Sequence, residues 1–186
     1  MILYINSCVR EESRTGRLAR ALLKNLGNYH ELKLDESDFY PLNRERLERR
    51  TKLIEAENYG DPMFDAAKQF AEAEMIVIAA PYWDGSFPAV LKIYLENIYV
   101  TGIVSKYGTD GRPEGLCRAK KLYYVTTADG PYNPKYSYEY IKDLAVNIFH
   151  IKETKLIYAE NLDIDGNDPE TLLENAISSV EGMFRD

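Results

Sequence analysis

Only two cysteines occur in the chain, Cys8 and Cys117. Two thiols this far apart make neither a disulfide framework nor the spacing of a zinc site. No long apolar run is present either. The longest, residues 75–83, is far short of a membrane span. No basic stretch followed by a long apolar core opens the sequence, so a secretory leader is not expected and a cytoplasmic location is. Positive charge is in deficit: 23 Lys and Arg stand against 30 Asp and Glu, a net charge of −7. That balance argues against nucleic-acid partners, whose binding depends on basic residues that neutralise phosphate. No repeat with a period of roughly 20–50 residues is visible. The GxGxxG turn of dinucleotide folds and the glycine-rich, lysine-bearing P-loop are both missing.

What remains is a chain of 186 residues, 45% of them apolar. This is enough for one domain, residues 1–186, with a core of its own. Short apolar runs alternate with longer amphipathic ones. Residues 1–6, 30–34, 75–80, 121–127 and 154–159 read as strands. Residues 16–26, 44–57, 62–73, 88–98, 138–149 and 169–184 read as helices. Gly27-Asn28 stops the first helix, and Asp168 caps the last. Residues 100–118 hold four glycines and a proline and read as a long loop. Five strands separated by helices predict a three-layer α/β fold, a parallel sheet with helices on both faces. Ligands of such folds bind beyond the carboxyl ends of the strands. The loops at 7–15, 81–86 and 127–132 are therefore the places to seek a site.

The first loop joins a buried strand to a helix start, where unpaired N–H groups favour an anion. Ser7, Ser13 and Thr15 add hydroxyls and Arg14 adds charge, so the loop suits a phosphate. The plainer reading makes Ser13 or Thr15 only a helix cap. Cys8 followed by Arg14-Thr15 also fits the C-x5-R-[ST] signature of phosphatases that attack phosphorus with a thiolate. Glu11 and Glu12 crowd such a site with like charge. Asp61, Asp129 and Asp168 are weak candidates for its acid. A small buried thiol is the plainer reading of Cys8. The second loop, Pro81-Tyr82-Trp83-Asp84-Gly85-Ser86, either packs aromatic faces on a flat ligand or plugs the core. The third, Thr127-Ala128-Asp129-Gly130, is small enough for close backbone approach. A phosphate cradle, an aromatic shelf and a small-residue wall together suit flavin mononucleotide (FMN).

These residues resemble the flavodoxin-like NAD(P)H-dependent oxidoreductases, the family of FMN-dependent NADH azoreductases and NAD(P)H quinone reductases. Ser7, Ser13, Arg14 and Thr15 resemble its phosphate loop. The run from Pro81 through Pro88 to Leu91-Lys92 resembles the loop that lines the flavin ring. The run from Pro113 through Leu116 to Lys121 resembles the stretch leading into the fourth strand, Thr127 to Gly130 lie where the family places its last flavin loop, and the resemblance extends to Asn161-Leu162-Asp163-Ile164 after the fifth strand. Gly85 departs from the aromatic that azoreductases commonly carry, and Ala128-Asp129-Gly130 from their Arg-Gly-Gly turn.

The resemblance implies a flavodoxin-like fold. It also implies ping-pong hydride transfer from NAD(P)H through FMN to a quinone, azo compound or similar small-molecule acceptor. The cofactor would carry the chemistry, with no catalytic side chain and no metal. FMN contacts would come from Ser7, Ser13, Arg14, Thr15, Pro81, Tyr82, Trp83, Asp84, Gly85, Thr127, Ala128, Asp129 and Gly130. A symmetric homodimer is implied too, with residues 44–60 and 100–118 shaping the pocket across the two-fold. The competing readings are the phosphatase using Cys8 and Arg14, and a flavodoxin-like electron carrier without NAD(P)H activity.

Overall fold

The computed structural model describes residues 1–185. Its centre is a five-stranded parallel sheet of β1 (Ile2–Asn6), β2 (Tyr29–Lys33), β3 (Met75–Ala79), β6 (Lys121–Thr127) and β7 (Glu153–Ala159), in the order β2-β1-β3-β6-β7. The register is unbroken: Leu3 pairs with Ile76, Ile76 with Leu122, and Leu122 with Thr154.

Side chains alternate between two cores, as strand geometry requires. Leu3, Ile5, Ile76, Ile78, Leu122 and Tyr124 enter one core. There they meet α3 (Asp65–Glu72), α4 (Ala89–Ile98) and α5 (Tyr138–Asp143). Tyr4, Val77, Ala79, Tyr123 and Val125 enter the other, against α1 (Arg14–Leu26) and α6 (Pro169–Gly182). Burial on both faces is why these strands read as continuous apolar runs. The helix α2 (Arg44–Glu55) buries no residue completely. It is held to α4 by Arg50, whose Nη1 donates to the Glu96 carbonyl at 2.9 Å.

Two segments differ from the sequence reading. Residues 100–118 are not a plain loop. They contain an antiparallel pair, β4 (Ser105–Tyr107) with β5 (Pro113–Gly115). Three-residue strands carry too little periodicity to be legible. Residues 138–149 are not one helix either, since α5 widens into a π-helical turn at Leu144–Ile148. Gly115 explains how these two regions meet. A Cβ there would lie 2.3 Å from the Phe149 carbonyl carbon, so only glycine lets the hairpin touch that turn.

Between β1 and β3 the chain reverses its direction of travel across the sheet. The connections leaving these two strands diverge there and open a crevice at the carboxyl edge.

Candidate functional site

Asn6 ends β1, and its Oδ1 accepts the Cys8 N–H at 2.9 Å, turning the chain sharply. Ser13 then caps α1, its Oγ accepting the Gly16 N–H at 3.2 Å. The N–H groups of Ser13, Arg14 and Thr15 have no partner among the described residues. They are the free donors of a helix start.

The three predicted loops are stitched together at their bases. Ser7 donates through both N and Oγ to the Ala79 carbonyl, at 3.0 and 2.8 Å. The Tyr82 N–H donates to the Thr127 carbonyl at 3.1 Å. Thr15 and Thr127 share one hydrogen bond between their hydroxyls at 2.6 Å, both residues buried. Two hydroxyls sharing one bond leave one O–H free to donate to a ligand.

The second loop is a rigid hairpin. Trp83 and Ser86 exchange N–H to carbonyl bonds, both at 2.8 Å. Asp84 and Gly85 between them have φ of 50° and 81°. Positive φ at both central residues is the type I′ turn, and Asp-Gly is the pair that favours it. Ser86 Oγ donates to the Tyr136 carbonyl at 2.5 Å and fastens the hairpin's base. Tyr82 packs edge-on against Tyr132, centroids 5.0 Å apart, and Tyr132 in turn donates to or accepts from Ser137 Oγ at 2.9 Å.

Ser13, Arg14, Thr15, Pro81, Tyr82, Trp83, Thr127 and Asp129 surround one open cleft. Five predicted residues do not line it. Ser7 is buried beneath it, and Ala128 is buried with its N–H bound to the Ala159 carbonyl. Asp84 and Gly85 form the exposed tip of the hairpin. The Gly130 carbonyl accepts from the Asn161 N–H. Arg10 and Glu12 complete the rim. The cleft offers unpaired N–H groups and hydroxyls at one end and an aromatic wall at the other. That donor set fits an anion attached to a flat ring.

Cys8 lies against the sheet, its Sγ 4.0 Å from the Ala79 carbonyl. Burial pushes its thiol up to about 11. A nucleophilic cysteine needs the opposite shift, so the phosphatase chemistry is not favoured.

A model of the flavodoxin-like fold family matches residues 1–182. The chain belongs to that family. The FMN-dependent NADH:quinone oxidoreductase 2 of Clostridium acetobutylicum is 34% identical, covering 100% of this chain and 98% of the relative. An FMN-dependent NADH:quinone oxidoreductase of Coprothermobacter proteolyticus is 31% identical over 99% and 98%. An FMN-dependent NADH-azoreductase of Bacillus anthracis, solved in complex with FMN, superposes with a TM-score of 0.82. It is 20% identical over 98% of this chain and 96% of that one, which speaks to the fold.

This flavodoxin-like chain also uses residues that sequence reading missed. Asp163 accepts from Arg14 Nη1 at 2.8 Å, and Glu160 accepts the Tyr132 N–H at 2.7 Å. Both follow β7; Asp163 lies in a stretch that resembles the family, but nothing local in the sequence marks its pairing with Arg14 or that of Glu160 with Tyr132. Their partners lie far away along the chain.

Proposed function

We propose that this protein is an FMN-dependent NADH:quinone oxidoreductase. The observation that carries the reading is a cleft at the strand ends that has anion donors and an aromatic wall. The names of full-length relatives above 30% identity support it. They favour an enzyme over an electron carrier.

The FMN phosphate is assigned to the N–H groups at 13–15 and to the hydroxyls of Ser13 and Thr15. The ring lies along Pro81, Tyr82 and Trp83, with its pyrimidine edge at Thr127 and Asp129. FMN held there would supply hydride transfer between NADH and a quinone, and the residues around it would bind and orient it. Tyr82 and Trp83 pack beside the ring and exclude water from one side. The N–H group of Asp129, without a partner among the described residues, stabilises negative charge at that edge as an oxyanion-hole donor does. No side chain is needed as acid or base, and one pocket serves both substrates in turn. The working unit is a homodimer of single-domain chains in the cytoplasm.

The purified protein should be yellow. Anaerobic NADH should bleach it, and a quinone should restore the colour. Cys8→Ser should keep this activity. A colourless protein that cannot be loaded with FMN overturns the reading.

A further inference from the structure

Arg14 stands at the helix start, where a cation would ordinarily be assigned to the phosphate. The geometry directs it elsewhere. Its Nη1 lies 2.8 Å from Asp163 Oδ1 and 3.4 Å from Asp129 Oδ1. The segment carrying Asp163 is itself laced to the 128–130 turn. Asp163 N–H donates to the Asp129 carbonyl at 2.9 Å, and Asn161 N–H to the Gly130 carbonyl at 3.0 Å. One turn along α1, Arg17 holds Glu170 and Glu174 of α6 at 2.8 and 3.2 Å. This face of α1 thus grips the segment beyond β7. Asp129 lines the cleft with a side chain 74% exposed. Unneutralised, its carboxylate would oppose negative charge on a neighbouring ring. Exposed ion pairs add little to folding stability, so the consequence of this one is geometric and electrostatic.

We propose that Arg14 is a positioning residue. Anchored by Asp163, it holds Asp129 and offsets part of its charge, and so presents the free N–H group of Asp129 to the ring edge instead of binding the phosphate. The inference rests on the FMN reading above and assigns a different role to one residue of that site.

The test titrates wild type, Arg14→Gln, Arg14→Lys and Asp163→Asn with FMN and with riboflavin, the same ring without phosphate. Midpoint potentials of the bound flavins and thermal melting are measured alongside. Arg14→Gln and Asp163→Asn are each expected to weaken both ligands by a common factor, about five- to tenfold. Arg14→Gln should also lower the potential, because it leaves both carboxylates unpaired, with melting little changed. Arg14→Lys should recover part of the potential, because it keeps the charge. A loss of FMN affinity that spares riboflavin in Arg14→Gln makes Arg14 a phosphate ligand and overturns the proposal. So does an Asp163→Asn protein that binds both ligands like wild type. Weakened binding at an unchanged potential reduces Arg14 to a structural part and overturns it as well. A folded wild-type protein that binds neither ligand overturns the flavin reading itself, a result distinct from the other three.

Discussion

The hydroxyl pair of Thr15 and Thr127 is the tightest link between the first and third loops. Replacing Thr127 with Val leaves a buried hydroxyl without its partner, a loss of about 1–3 kcal/mol. The double variant Thr15→Val/Thr127→Val should recover part of that, read from urea denaturation midpoints. Ser13→Ala removes both a helix cap and a hydroxyl proposed to hold the phosphate. Combined with Thr15→Ala it should weaken FMN binding, and unchanged affinity in a fluorescence titration would move the phosphate elsewhere. Cys8 gives a pH test. With its thiol near 11, about one molecule in a thousand carries thiolate at about pH 8. Alkylation by iodoacetamide should be slow there and should accelerate as pH rises toward that value. A fast reaction at neutral pH would revive the nucleophilic reading. Residue types at this scale were legible: Ser13, Thr15, Tyr82, Trp83 and Thr127 all reach the cleft. Ser7 has the same chemistry but lies one layer deeper, already bonded to Ala79. A hydroxyl in a loop does not announce which way it faces.

Among the elements, the Asp84-Gly85 turn and the Gly115 contact depend most on backbone. Gly85→Val places a branched side chain at φ 81°, where only glycine is comfortable. It should distort the hairpin and weaken FMN binding, whereas Asp84→Asn, a residue tolerant of this region, should leave the titration unchanged. Gly115→Ala forces a methyl into the Phe149 backbone at 2.3 Å. It should cost more than the roughly 1–3 kcal/mol of ordinary overpacking, because backbone must move. Gly182→Ala, with nothing within 4 Å, serves as the control and should be neutral or slightly stabilising in the same urea series. The strands β1, β3 and β6 were readable as apolar runs because they are buried on both faces. The β4–β5 hairpin was not, since it is held by a contact to the turn at Leu144–Ile148 and carries no pattern of its own.

For the whole molecule, the two cores are unusual in burying tyrosines. Tyr4 and Tyr94 are at most 1% exposed, and their hydroxyls find no partner among the described residues. Burial holds both, and Tyr124 with them, well above the ordinary tyrosine range. The folded state keeps these phenols neutral, while the unfolded chain ionises them near pH ~10. Stability is therefore fully present below that pH and is lost above it. Urea midpoints should hold steady up to about pH 10 and then fall steeply. A flat profile to higher pH would mean the phenols are hydrated or paired in solution.

The sequence by itself determined the alternation of strands and helices, the parallel sheet and the three loops at its carboxyl edge. Each of these is written in local periodicity and in residues a few positions apart. Tertiary structure alone decided which hydroxyl faces the cleft and which is spent on the sheet. It also joined Arg14 to Asp129 and Asp163, 115 and 149 residues away. Pairings of that kind depend on where separate strands end in space, and no local pattern encodes them.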